Sequence, residues 1–243
     1  MQLDKKMLAF LQNIVKTAQL IKLDAVIIEA GDTDAKLPVK IRAMDENKTV
    51  VMFHEHAMDL PYAIGLNRLN TFVERYELVK TSDNFVVEAE TTTDNDGRSF
   101  VRGLTMKGKG IKVEYRCANP ATITAPKVLN DSVKYKIKMT PEAVLTMQKG
   151  QTAMDAELVT FTSDKDGISF QIEDVNKDGL NYIFGDHVEP VGSGTNTDFT
   201  YKYSLKTIIP LFKQVSDGYF HITTKGMLKL TVNGLDLYII PRI

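Results

Sequence analysis

Four stretches of the chain place apolar side chains every three or four residues, the spacing of a helix with one buried face. They are residues 4–20, residues 66 to about 79, a stretch that begins at Thr140-Pro141-Glu142, and residues 204–215. Asp4 and Thr140 can accept hydrogen bonds from the free amides of a first helical turn, so they predict where two helices begin. Pro210 lies inside the last stretch, where it removes a backbone hydrogen bond, so a bend is expected there.

The stretches between these helices alternate apolar and polar residues or form short apolar runs, which is typical of β-strands. In the first half we predict strands at residues 25–30, 39–44, 50–53, 85–91, 99–106 and 111–116. In the second half we predict them at residues 134–139, 157–162, 168–173, 180–184, 199–203, 218–223, 228–232 and 235–240. The pattern predicts a mixed α+β protein.

The two halves repeat the same order of elements on either side of a central stretch. Pairing Leu66 with Leu205, and Asp4 with Thr140, gives offsets of 139 and 136 residues (205 − 66 and 140 − 4), which indicates an internal duplication. The stretch between the halves contains Pro120 and Pro126, which lack backbone donors and hold the preceding residues extended. We therefore predict domains at residues 1–117 and 132–243, joined by an extended connector at residues 118–131.

Composition is typical of a soluble globular protein. Its 243 residues, 43% hydrophobic and 25% charged, suffice for two cores. No apolar run approaches the roughly 18 residues that span a membrane. The N-terminus passes directly into an amphipathic pattern, without the apolar core of a signal peptide. Cys117 is the only cysteine, so no disulfide forms within the chain, which fits a reducing compartment such as the cytoplasm.

Charge is distributed unevenly along the chain. The four predicted helices carry nine basic and four acidic residues, a net charge of +5; because the chain as a whole is −1, the remainder carries −6. For any one helix an ordinary solvated face is the simpler explanation, but the recurrence favours a polyanion held on one side. No aromatic residues interleave with the basic ones, and no helix clusters Arg, Asn and Gln for base recognition. The predicted partner is the backbone of duplex DNA, contacted without sequence preference.

The residues that we assign to this contact are basic positions of the four helical stretches: Lys5, Lys6, Lys16, Arg68, Arg75, Lys149, Lys206 and Lys213.

Signals of catalysis or metal binding are weak throughout the sequence. His54-Glu55-His56 lacks the helical spacing and the third ligand of a zinc site. Residues 174–179 match the first half of a calcium-binding loop, but Gly185 stands where that loop needs a glutamate. No nucleophile and base are paired by their spacing. We expect no catalytic residues, no metal and no cofactor; a hydrolase with an unrecognised site is the weakest alternative.

Several stretches resemble a known family. The connector, Ala118-Asn119-Pro120-Ala121-Thr122-Ile123 with Ala125-Pro126, and the ending Leu237-Tyr238-Ile239-Ile240-Pro241-Arg242-Ile243 are similar to those of DNA polymerase sliding clamps. The connector and opening helix most resemble clamps of T-even-type bacteriophages. The ending and Asp166-Gly167-Ile168-Ser169-Phe170 also resemble proliferating cell nuclear antigen, or PCNA. The resemblance covers the layout of the whole chain.

The resemblance implies an α+β fold of two similar DNA-clamp domains with helices on one face of antiparallel sheets. It also implies a homotrimeric ring around duplex DNA that tethers the replicative DNA polymerase and is opened by a clamp loader. The implied setting is the cytoplasm of a bacterial host, with no membrane involved. The alternative that stays open is a phage structural protein of duplicated β-rich domains that forms no ring.

The resemblance also implies two protein-binding surfaces. The subunit interface would use two strands, with Ile111, Val113 and Tyr115 on one and Leu180, Tyr182 and Phe184 on the other; alternation of this kind is equally typical of core strands. The partner pocket would use Ile123, Val128, Leu129, Tyr238, Ile240 and Pro241. For Tyr238 and Ile240 a second interpretation is that they fill the core of the second domain, but two bulky groups on a same-facing pair next to the chain end slightly favour a surface pocket.

Overall fold

The computed structural model describes residues 2–82, 84–165, 167–191 and 198–242. Asp166 and Ile243, which contribute to the resemblance, and the side chain of Lys5 lie outside this description. The chain divides into two compact units, one of residues 1–46 and 51–127 and the other of residues 47–50 and 128–243. The domain limits expected from the sequence remain a prediction. None of the described helices is long and apolar enough to cross a membrane.

The first unit consists of two helices and one sheet. The helices are α1 (Lys5–Leu20) and α2 (Leu69–Val79). The strands are β1 (Gln2–Leu3), β2 (Ala25–Ile28), β3 (Val39–Met44), β4 (Val50–His56), β5 (Ala63–Asn67), β6 (Val86–Thr93), β7 (Ser99–Gly108) and β8 (Ile111–Arg116). Their order is β1-β6-β7-β5-β2-β3-β4, and β8 also pairs with β7. All pairs are antiparallel except β5 with β7.

The core of this unit follows the predicted periodicities. The Asp4 carboxylate accepts a hydrogen bond from the Met7 amide at 2.7 Å, so α1 begins where the sequence predicts. Buried side chains on α1 recur at helical spacing, and alternate residues of β3 are buried in the same way. One side of α1 and one side of β3 therefore face the apolar interior.

The predicted start of the second helix is wrong. Leu66 lies in β5, paired with Val26, and α2 begins only at Leu69. Ile64-Gly65-Leu66 is a buried strand whose spacing from Leu69 also fits a helix, so periodicity alone could not separate the two elements. Arg68 makes the turn between them in the left-handed conformation, with φ of 49°.

With the corrected boundary, the two halves of the chain match with a single offset. Helices α3 and α4 of the second unit begin at Pro141 and Leu205. Each start now follows its counterpart in the first unit by 136 residues (141 − 5 and 205 − 69).

The second unit has two helices and two sheets. The helices are α3 (Pro141–Ala153) and α4 (Leu205–Gln214), which continues through Pro210. One sheet has the order β17-β16-β15-β9-β13: β9 (Val133–Lys138), β13 (Val188–Pro190), β15 (Tyr219–Thr223), β16 (Leu228–Val232) and β17 (Leu235–Ile239). The other has the order β12-β11-β10-β14: β10 (Leu158–Asp164), β11 (Gly167–Glu173), β12 (Gly179–Ile183) and β14 (Phe199–Ser204). The three-residue β13 is too short for sequence patterning to reveal.

Aromatic side chains join the elements of the second unit. Phe161 of β10 lies 5.9 Å, between ring centroids, from Phe220 of β15, and Phe220 lies 5.1 Å from Phe212 of α4. Tyr203, fully buried on β14, donates its hydroxyl to the Gly226 carbonyl at 2.6 Å. Both sheets and α4 therefore share one core.

Candidate functional site

Most of the basic residues assigned to DNA contact extend from helices into solvent. Lys6 and Lys16 of α1, Lys149 of α3, and Lys206 and Lys213 of α4 are all exposed. Within their observed bounds the four helices carry seven basic and three acidic residues. The bias towards positive charge on the helices therefore persists with the corrected boundaries.

The two arginines of this set are held differently. Arg75 donates from Nη1 to the Glu114 carbonyl at 2.6 Å. Arg68, which precedes α2, donates from Nη2 to the Arg116 carbonyl at 3.0 Å, and its guanidinium carbon lies 5.7 Å from the centre of the Tyr115 ring. Both side chains are thus bound to the backbone of β8, an arrangement that the sequence did not indicate.

The first group of predicted interface residues lies on β8. Ile111 is exposed and Val113 is half-buried, but Tyr115 is buried in the core of the first unit. The Asn67 amide donates to the Tyr115 hydroxyl at 3.0 Å, and that hydroxyl donates to the Asn67 carbonyl. Burial raises the pKa of Tyr115 to about 12. Of the three residues predicted on β8, only Ile111 and Val113 therefore reach the surface.

The second group lies on and beside β12. Leu180 and Tyr182 are half-buried, and Phe184, just beyond the strand, is fully buried against the other aromatic residues of the second unit. Ile183, which the sequence reasoning did not select, is 54% exposed. Along β12 the solvent-facing apolar residue is therefore Ile183.

The first part of the connector is held against the first unit. The Ala118 amide donates to the Gly65 carbonyl at 2.9 Å, and a Cβ on Gly65 would lie 2.5 Å from the Ala118 oxygen. Only glycine permits this close approach. Pro120–Thr122 form a 3₁₀ turn capped by Asn119, so the connector is not extended throughout as predicted.

Arg42 holds the next part of the connector. Its side chain, 11% exposed, pairs with Glu29 and donates from Nη1 to the Pro126 carbonyl at 3.1 Å. A cavity of about 350 Å³ lies here, lined on its apolar side by Ile27, Phe100 and Ile123. Sequence reasoning missed Arg42, because a charged residue in an alternating strand is expected to face solvent.

The C-terminal strand distinguishes the two interpretations of Tyr238 and Ile240. Leu237 and Ile239 fill the core, with exposures of 0% and 2%, while Tyr238 and Ile240 are partly exposed. Burial raises the pKa of Tyr238, and the Lys229 amine lies 5.6 Å from its ring centre. Tyr238 and Ile240 are therefore surface residues of the second unit.

The remaining residues of the predicted pocket divide between the units. Ile123 belongs to the first unit and is half-buried. Val128, Leu129 and Pro241 belong to the second, and Val128 is 64% exposed. Asp131 fixes the end of the connector to the second unit by accepting a hydrogen bond from the Thr224 hydroxyl at 2.6 Å.

The described residues contain no cluster of three or more His, Cys, Asp or Glu side chains that could hold a metal ion. Cys117 is buried, and burial raises the pKa of its thiol to about 12. The thiol is therefore protonated at neutral pH and is a poor nucleophile.

Comparison with solved structures identifies the architecture. PCNA of A. fulgidus, solved with the C-terminal region of FEN-1 bound, matches with a TM-score of 0.63 at 15% identity, over 96% of this chain and 95% of that one. The chain has the sliding-clamp fold. PCNA of Entamoeba histolytica matches with a TM-score of 0.60 at 11% identity, over 97% of this chain and 96% of that one. PCNA of Thermococcus kodakaraensis matches with a TM-score of 0.57 at 14% identity, over 96% of both chains.

The predicted fold class is thereby confirmed: α+β clamp architecture extends over nearly the whole chain. No protein-family model matches the sequence, and no curated protein sequence matches it.

Proposed function

We propose that this protein is a sliding clamp, a non-enzymatic homotrimeric ring that encircles duplex DNA and tethers a replicative DNA polymerase. The observation that carries the proposal is the clamp fold itself, matched over 96% of the chain and almost the full length of a PCNA protomer. The exposed lysines of α1, α3 and α4 support it, because a ring that slides needs positive charge towards phosphate without groups that read bases. We propose no cofactor and no metal.

The proposed DNA-facing set consists of Lys5, Lys6, Lys16, Arg68, Arg75, Lys149, Lys206 and Lys213. Contacts to phosphate carry no sequence information. This set therefore gives the protein affinity for DNA and still leaves it free to slide along the duplex. Arg68 and Arg75 join it only when they leave the β8 carbonyls that they bind in the protomer.

Subunits of the proposed ring meet by adding a strand of one copy to β8 of the next. A free sheet edge presents unpaired amides and carbonyls, which a second strand can satisfy. We assign the contact to Ile111, Val113, Leu180 and Tyr182, with Tyr115 and Phe184 supporting the two strands from the core beneath.

We propose that the polymerase and the clamp loader bind by short peptides at the connector and the C-terminal strand. The A. fulgidus PCNA structure contains the C-terminal region of its partner FEN-1, which supports this mode of binding. The residues assigned are Ile123, Val128, Leu129, Tyr238, Ile240 and Pro241. From the resemblance of the connector and opening helix, the proposed setting is a tailed bacteriophage replicating in the cytoplasm of its bacterial host.

Retention on DNA tests the ring. Protein loaded by a clamp loader onto nicked circular DNA should co-elute with it in a sizing column at moderate salt and should be released when the DNA is linearised. Light scattering should give the mass of three chains. A monomer that neither stays on circular DNA nor raises polymerase processivity would rule the proposal out.

Partner binding is tested by Tyr238→Ala with Ile240→Ala, which should weaken polymerase and loader binding at least tenfold and leave the trimer intact. Tyr219→Ala is a matched control, because Tyr219 is an exposed tyrosine on the same face of the same sheet, on β15. Equal loss of binding in the control, or loss of the trimer in the double variant, would contradict the assignment.

A further inference from the structure

One edge of β8 has no neighbouring strand, since β8 pairs only with β7 in the described part of the chain. In an antiparallel pair, alternate residues turn their backbone groups towards the partner strand. The Cys117 amide donates to the Arg102 carbonyl at 2.9 Å, so Tyr115, two positions earlier, also faces β7. Glu114 and Arg116 therefore turn their amides and carbonyls to the free edge.

Both of these outward carbonyls already accept a hydrogen bond from an arginine. Arg75, in the middle of α2, donates to Glu114, and Arg68, in the turn before α2, donates to Arg116. An added strand would need the same two carbonyls as acceptors. The two guanidinium groups also place positive charge where the amides of an incoming strand would have to approach.

We propose that Arg68 and Arg75 guard the β8 edge: they occupy its carbonyls in the separate protomer and are displaced when a strand of a second copy pairs there. The inference rests on the proposed ring and adds a barrier to its assembly. Charged side chains at an open edge are a recognised protection against wrong pairing, because a neutral strand gains nothing that compensates for displacing them.

A second copy of this chain has the chemistry to displace the guard. The turn before β12 carries Asp174 and Asp178, and Asp186 follows the strand. Asp174 is engaged in its own turn, where it accepts from the Asn176 amide at 2.8 Å, but the Asp178 and Asp186 side chains are exposed. Carboxylates that flank β12 attract the two arginines away from the β8 carbonyls as the strand approaches, whereas an unrelated neutral strand does not.

The test compares self-association of the full chain with that of a double variant, Arg68→Met with Arg75→Met. Methionine keeps an unbranched side chain of four atoms beyond Cα and removes the guanidinium group at each position. Sedimentation velocity over a range of concentrations gives the association constant of each protein. We expect association about tenfold tighter in the double variant, the change that corresponds to about 1.4 kcal/mol at 25 °C. Lys80→Met is the control: it removes a positive charge from the end of the same helix, where Lys80 pairs with Glu77 and not with β8.

Arg75→Lys provides a second measurement if the double variant folds poorly. It keeps the charge but not the planar group of donors, so its association constant should lie between those of the parent and the double variant. If both variants associate no more tightly than the parent, at unchanged melting temperature, the proposal that the two arginines protect the β8 edge is wrong. Tighter association in Lys80→Met as well would also overturn it, by showing a general charge effect.

Failure of the guard and failure of the ring give different results. If the parent forms trimers and the double variant merely equals it, the guard is wrong and the ring stands. If the parent stays monomeric while the double variant associates, the guard is upheld and the parent's proposed ring is contradicted. If neither protein associates at any concentration, both proposals fail.

Discussion

Cys117 lies directly after β8, and only 8% of its surface is exposed. Its amide completes the ladder to β7 through the Arg102 carbonyl, so backbone and side chain are both fixed. Burial raises the pKa of the thiol to about 12, and reactivity towards disulfide reagents requires the thiolate.

We therefore expect the native protein to resist labelling by a thiol-reactive disulfide dye at pH 8, and one equivalent to react after unfolding in urea. Cys117→Ser should lower the free energy of unfolding by about 1–3 kcal/mol, because it buries a hydroxyl group in place of the less polar thiol. Labelling of the native protein within seconds would contradict the buried placement.

Single residues were predictable where their partners are near in sequence. Asp4 and Thr140 cap helices by accepting from amides three residues later, a pattern visible in the sequence. The role of Arg42 was not predictable, because it binds a carbonyl 84 positions away and depends on how the connector folds back. Interactions of that range are fixed by tertiary structure, which periodicity does not encode.

Arg42→Ala should loosen the connector. Loss of its hydrogen bond to Pro126 would leave the connector's middle unanchored, and Glu29 would lose its ionic partner. We expect exchange of the Ile123 amide, which donates to the Pro120 carbonyl at 3.2 Å, to rise at least tenfold. Arg98→Ala, an exposed residue lining the same cavity, is the control and should change exchange little. Unchanged protection in Arg42→Ala would show that the connector is held by other contacts.

Among the described elements, the pattern of apolar and polar residues predicted the four helices and all strands except β1, β5 and β13. The prediction failed where one pattern fits both a helix and a strand. Leu66 satisfies the spacing of a helix with Leu69 and that of a buried strand with Ile64. Likewise, alternation along the last strand could not tell which face is the core. Leu237 and Ile239 pack inside because the sheet's register, rather than side-chain size, determines the buried face.

A row of side chains crosses the solvent-facing side of the second unit's sheet. His221 of β15 lies between Lys136 of β9 and Lys229 of β16 in the strand register. Burial lowers the pKa of His221, the two lysines lower it further, and Asp236 opposes them. Because the folded pKa lies below the ordinary value of about 6.5, protonation favours the unfolded chain.

The stability that neutral His221 contributes should therefore be present above about pH 6.5 and be lost as the pH falls through the lowered folded pKa. In melting curves taken between pH 7.5 and 5, His221→Gln should lose less stability than the parent. His187→Gln, a change at an exposed histidine beyond β12, should behave as the parent does. An identical pH dependence in His221→Gln and the parent would show that other groups dominate.

At the scale of the molecule, the uneven distribution of charge was the sequence feature that pointed to DNA. Because the lysines of the helices are exposed, their contact with DNA can be tested by substitution. Each phosphate contact with B-DNA contributes about 0.9 to the slope of log affinity against log salt. Lys16→Gln with Lys206→Gln removes one exposed lysine from a helix of each unit. We expect the slope for loading onto nicked circular DNA to fall by at least about one unit.

The control is Lys48→Gln with Lys165→Gln, which makes the same change of charge at two exposed turns outside the helices. If the helices face the DNA, only the first pair lowers the slope, because phosphate contacts depend on where the charge lies and not on the net charge of the chain. In the proposed ring the helical lysines face the DNA and these two turns do not, so the two pairs should differ. Equal slopes for both pairs would mean that the helical lysines are ordinary solvated residues.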